Sequence, residues 1–94
     1  MGGGGLPQGW TVERVREESG DTRAAVSGGE RFVVVEDWRL GEYVPLEAGV
    51  ILTFHELCLV EAEGEWFMGR TEADGTVICW ASYGSDLGEA IRGL

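Results

Sequence analysis

At 94 residues, 44% hydrophobic and 10% aromatic, the chain has the size and make-up of one folded domain rather than of a disordered segment. Seventeen acidic residues against seven basic ones give a formal charge of −10, which argues against nucleic-acid binding and is compatible with a partner that is itself basic. Its uninterrupted apolar runs are only a few residues long, so no segment reads as a membrane-spanning helix.

The N-terminus lacks the basic-then-apolar layout of a secretory signal, and a cytoplasmic setting is expected. Leu6 stands where myristoylation after Met1-Gly2 would want Ser or Thr. All seven basic residues are arginine, and lysine and asparagine are absent. Codons for both are A/T-rich, so the composition fits a GC-rich bacterium or its phage. Between Arg39 and Arg70 stand six glutamates and no basic residue, which predicts a negative field on one side of the fold.

In chain order, residues 1–9 are expected as a flexible, glycine-rich tail ahead of a single domain over 10–94. Trp10 to Glu17 alternates imperfectly and fits either a strand or a short helix. The Ser19-Gly20-Asp21 turn and a return strand over Thr22 to Val26 favour the strand, giving an N-terminal β extension. Ser27-Gly28-Gly29 is a second turn. Arg31 to Asp37, with Phe-Val-Val-Val at its centre, predicts a strand covered on both faces. Trp38 to Ala48 contains Gly41 and Pro45 and reads as a long irregular loop. Val50 to Ala62 reads as extended, with a bend or bulge at His55-Glu56 where a charge interrupts the apolar frame.

After a turn over Glu61 to Glu65, Trp66 to Arg70 and Thr76 to Tyr83 flank Glu72-Ala73-Asp74-Gly75 and predict an antiparallel hairpin. Alternation sets Val77, Cys79 and Ala81 against Thr76, Ile78 and Trp80. The small apolar set suits the interior. Trp80 is then either partly exposed or covered by another segment. Ser85 to Ile91 predicts a short helix capped at Asp86, with Leu87, Ala90, Ile91 and Leu94 on its buried face.

From Arg31 onward the order of features resembles an SH3-type small barrel. The features are the strand Phe32 to Val35, an acidic loop, Gly49-Val50-Ile51-Leu52, the aromatic pair Trp66-Phe67, Gly69-Arg70, and a close on Ser82-Tyr83. The resemblance covers about residues 31–83. It implies an SH3-like, partly open barrel of five to seven antiparallel strands with a short C-terminal helix. It also implies a shallow groove to which Trp66 and Tyr83 would contribute. The tyrosine pair of the family's first strand and the proline before its closing motif are absent, so a barrel with its own partner is expected in place of a proline-motif reader.

Three residues have metal-ligand chemistry, His55, Cys58 and Cys79, but they lack paired Cys-x-x-Cys spacing. No metal or other cofactor is expected. Both cysteines read as small buried hydrophobes, and a Cys58–Cys79 disulfide would require neighbouring strands in an oxidising compartment. Enzymatic chemistry would have to use His55, the one histidine, and no orienting partner for it is evident. The expected function is non-catalytic binding of a basic protein through Trp38, Glu42, Glu47, Glu61, Glu63, Glu65, Trp66, Trp80 and Tyr83. By analogy this could serve an immunity or inhibitor role. The alternatives are a DNA mimic that blocks a DNA-binding protein and a small enzyme using His55. An exposed edge strand would also let two copies pair.

Overall fold

The first regular element is set by its ends. Thr11, at φ −131° and ψ 166°, accepts the Arg14 N–H on its hydroxyl, and Gly20, at φ 75°, donates its N–H to the Arg16 carbonyl. Between these two caps, helix α1 runs over Val12–Ser19 with Val15 buried. The strand expected over Trp10 to Glu17 is therefore a helix. Val12 and Val15, three residues apart, share a helical stripe but would fall on opposite faces of a strand, and the caps agree with the helix. The computed structural model describes residues 6–28, 32–37 and 41–94; the glycines at 2–5 and Trp38 lie outside this set. Leu6, expected within the tail, packs against the helix-side core.

Seven strands follow among the described residues: β1 (Ala25–Gly28), β2 (Val33–Asp37), β3 (Glu42–Leu46), β4 (Val50–Thr53), β5 (Cys58–Ala62), β6 (Glu65–Thr71) and β7 (Val77–Ser82). Helix α2 (Leu87–Arg92) closes the chain, with the Asp86 carboxylate accepting the Gly88 and Glu89 N–H groups as expected. The strands form one open sheet in the order β1-β4-β5-β6-β7-β2-β3. Every neighbouring pair is antiparallel except β2 and β7, which run parallel. The fold is mainly β, and the sheet is compatible with a partly open barrel.

The two hairpins of the second half lie where the sequence places them. Glu63 and Gly64, at φ 54° and 81°, form the two-residue turn between β5 and β6. Glu72 accepts the Gly75 N–H between β6 and β7. The bend expected at His55-Glu56 is a complete turn: the Phe54 N–H meets the Leu57 carbonyl, and β4 and β5 pair back to back across it. The segment expected as an irregular loop contains β3. Pro45 argues against a strand on sequence alone, but β3 is a sheet edge, the position at which a missing N–H costs no ladder bond.

Both faces of the middle strands are buried. Val50, Leu52, Leu59, Trp66 and Met68 meet Val15 of α1 and Leu87, Ala90 and Ile91 of α2 on the outer face. Ile51, Cys58, Val60, Val77 and Cys79 meet Val33 on the other. Val33 lies on β2 and Ile51 on β4, four places apart in the strand order, so the sheet must curl to bring them together. Between β6 and β7 the register slips by one residue, leaving Trp80 as the extra residue of a bulge opposite Gly69. A Cβ on Gly69 would strike the Ile78 carbonyl oxygen and lie 2.8 Å from the Cys79 Cα, so only glycine allows the two strands to approach this closely. Among the described residues, no helix is long and apolar enough to cross a membrane.

Candidate binding face

The helices cover the outer face over β4, β5 and β6. Over β7, β2 and β3 they do not. Because Val33 and Val35 belong to the interior cluster, alternation turns Val34 and Glu36 outward, along with Phe32 just before the strand. On β3, Pro45 lies opposite Val34 and Tyr43 opposite Glu36, while Leu46 packs inward. On β7, Val77 and Cys79 face the interior, Ile78 falls in the opposite frame, and Trp80, the bulge residue, is exposed. This side of the sheet carries three well-exposed aromatics, Phe32 (61%), Tyr43 (57%) and Trp80 (45%), while Val34, between Phe32 and Glu36 in sequence, is buried at 7%.

The rows across this face follow from register. Val34 pairs with Ile78 on one side and Pro45 on the other. One step along, Glu36 is directly opposite Tyr43, and the ladder to β7 ends just before it, at Val35–Cys79, with Trp80 the next residue on β7. Glu36 was missed in the sequence because it closes an otherwise apolar strand. Tyr43 and Phe32 were missed because one fell in a segment read as a loop and the other in a strand expected to be covered on both faces. The alternation Tyr43-x-Pro45 was the available signal.

The expected site residues divide. Glu42 and Glu47 are exposed at opposite ends of β3. Glu63 and Glu65 are exposed at the β5–β6 turn, beside the end of β7: Phe67 pairs with Ser82, whose hydroxyl donates to the Glu65 carboxylate at 3.1 Å. Glu61 is half-buried and accepts the Gly64 N–H at 2.9 Å. Trp80 is exposed, one of the two outcomes left open for it, and the alternation expected through Ala81 breaks at its bulge, since Ala81 pairs with Met68 of the helix-side core. Trp66 is not: at 1% exposure it is among the largest side chains fully inside the helix-side core. Tyr83 is half-buried against the same core, its ring so close to Gly93 that a Cβ there would lie 2.9 Å away. Both positions that the SH3 resemblance implies for a groove are thus packed inward, because Trp66 shares its face with Met68, under α1 and α2.

An open recess of about 400 Å³ lies at the β6–β7 turn, lined by Glu72, Ala73, Asp74, Thr76 and Ile78. The Thr76 N–H donates to Asp74 at 2.9 Å, which holds that carboxyl below its ordinary range. Arg70 pairs with Glu72 at 2.7 Å.

His55 lies elsewhere, exposed at the β4–β5 turn. Its Nδ1 is 3.1 Å from the Asp21 carboxylate, which also accepts the His55 backbone N–H and, on its other oxygen, the Arg23 N–H. Asp21 is thus an orienting partner for His55 that the sequence did not reveal. They line a pocket of about 150 Å³ with Ser19, Phe54, Leu57 and Leu94. The Ser19 hydroxyl is engaged with backbone, donating to the Arg16 carbonyl at 3.4 Å and accepting the Asp21 N–H at 3.1 Å. Cys58 and Cys79 are free thiols on either side of Gly69, with β6 between their strands. That separation, about 10 Å between Cα atoms, is too wide for a disulfide. Burial first, and the neighbouring Cys58 second, push the Cys79 thiol up to about 12. Among the described residues, no three or more His, Cys, Asp or Glu side chains converge as a metal site would require.

No protein-family model matches the chain, and neither a curated protein nor a solved structure matches it.

Proposed function

We propose that this domain is a non-catalytic protein-binding module whose β7–β2–β3 face docks a basic partner. The observation that supports the reading is the exposure of Phe32, Tyr43 and Trp80 on the part of the outer sheet face that α1 and α2 leave bare. Scattered apolar side chains at a surface are ordinary, but three exposed aromatics on or next to the adjacent strands β7, β2 and β3 are a concentration that a binding face would use. Partly exposed tryptophan and tyrosine supply much of the affinity at protein interfaces. Glu36 within the face, and Glu42 and Glu65 nearer its ends, in a chain of charge −10, would speed encounter with a positively charged surface. Capping a basic protein, as an inhibitor or immunity protein does, is the form of binding this charge fits best.

Affinity capture from source-cell lysate tests the reading. A specific protein retained by the wild type should be lost from a Trp80→Ala, Tyr43→Ala double variant that melts as the wild type does. Equal retention by the double variant, or no retained protein, would overturn the assignment of this face.

A further inference from the structure

We infer that the occupant of the β7–β2–β3 face is an extended segment carrying arginine or lysine, one of whose cations stacks on Trp80 beside Glu36. This rests on the binding role proposed above and adds the chemistry of the ligand.

The decisive feature is the position of Glu36. It stands directly opposite Tyr43 and one residue beyond Val35, whose partner Cys79 precedes Trp80, so an occupant reaching from one aromatic to the other meets its carboxylate on the way. Among the described residues Glu36 has no hydrogen-bond or ion-pair partner, and β7, β2 and β3 carry no arginine. An apolar occupant would strip water from that carboxylate and give nothing back, a penalty larger than the benefit of covering the two rings. A second copy of this chain would bring its own Glu36 and a further ten negative charges to the same place. A cation removes the penalty and adds an attraction to the indole face.

The molecule already uses this kind of stacking once. Arg14 lies over the Trp10 ring at 3.9 Å from its centroid, so that tryptophan has its cation from within the chain. Trp80 has no such partner among the described residues. At the β6–β7 end of the face, Ile78 and Asp74 both line the open recess. An aliphatic stem on Ile78 with its cation toward Asp74 would satisfy that end in the same way. Arginine suits the Trp80 position better than lysine, because a planar guanidinium can stack on the ring and meet a carboxylate together.

A nine-residue peptide alternating arginine and threonine is the probe, with a second peptide in which citrulline replaces each arginine. Titration into the ¹⁵N-labelled full chain, followed on backbone amides and on the indole N–H assigned with Trp80→Leu, reads both place and affinity. The arginine peptide should move the Trp80 indole and the amides of β2 and β3. Its affinity should fall at least tenfold in Glu36→Gln and in Trp80→Leu, both of which should keep a folded spectrum. The citrulline peptide should bind at least tenfold more weakly than the arginine peptide. Equal binding of the citrulline peptide would overturn the cation inference and leave the docking face standing. Absence of binding by the arginine peptide, or shifts confined to the Glu61–Glu65 turn with Trp80 unmoved, would also overturn it. Loss of the docking face itself is read separately, from the lysate capture.

Discussion

Two tryptophans fourteen residues apart meet opposite fates, and the cover of the helices decides which. Trp66 shares its face of β6 with Met68 and lies under the helices at 1% exposure; Trp80, the bulge residue of β7, is 45% exposed. The Trp80 outcome was only half legible: the small, apolar Val77 and Cys79 take the interior, but alternation left Trp80 either exposed or covered, and the bulge that breaks the frame there has no local signature. The Trp66 outcome was not legible. An aromatic opening a strand looks alike whether a helix or water lies above it, and what covers it comes from α1 and α2, far away in sequence. The contrast is measurable by urea unfolding. Trp66→Ala should lower stability by about 3–5 kcal/mol, as removal of a large buried aromatic does. Trp80→Ala should cost about 1 kcal/mol or less while abolishing partner capture. Comparable destabilisation by the two substitutions would contradict the assignment of one to core and the other to surface.

The elements read best were those with local punctuation. The β6–β7 hairpin announces itself through Glu72-Ala73-Asp74-Gly75, and α2 through Asp86, because turn and cap chemistry is written within four residues. Helix α1 and strand β3 were misread for opposite reasons. Thr11 and Gly20 are weak caps beside an ambiguous pattern, and Pro45 looks like a strand breaker until the sheet order places it on an edge. The join between α1 and the β4–β5 turn could not be read at all, since the Asp21–His55 contact spans 34 residues. The His55 side chain first, then the Arg23 N–H, hold the Asp21 carboxyl below its ordinary 3.8. A depressed carboxyl stabilises the fold above its unfolded pKa and loses that contribution as pH falls through the folded one. Asp21→Asn should therefore melt below the wild type at pH 7, and the gap should close as pH is lowered past about 4 into the acid range. A gap that stays constant down to about pH 2.5 would show that the carboxylate's charge is not what the contact uses.

At the scale of the whole molecule, composition named the sign of the field but not its layout. The arginine-free stretch from Glu42 to Glu65 suggested a single acidic side, yet Glu42 and Glu47 stand at opposite ends of β3 and Glu61 bonds back to its own turn. The charge is concentrated at no one carboxylate; it is a property of the chain. Seventeen acidic groups against seven basic ones repel one another in the folded state more than in the expanded one, and the described arginine–glutamate pairs are on the surface, where such pairs add little. Screening should therefore stabilise the fold at pH 7. Raising sodium chloride from about 20 mM to about 500 mM shortens the Debye length from roughly 20 Å to about 4 Å, below the spacing of most of these charges. The melting temperature at pH 7 should rise by several degrees, since about 1 kcal/mol corresponds to roughly 4–8 °C in a domain of this size. Near the sequence isoelectric point of about 4.3 the net charge vanishes, and the same salt step should have almost no effect. A melting temperature that falls with salt at pH 7 would mean that attractive pairs outweigh the repulsion, and the acidic surface could then no longer be treated as unneutralised charge awaiting a basic partner.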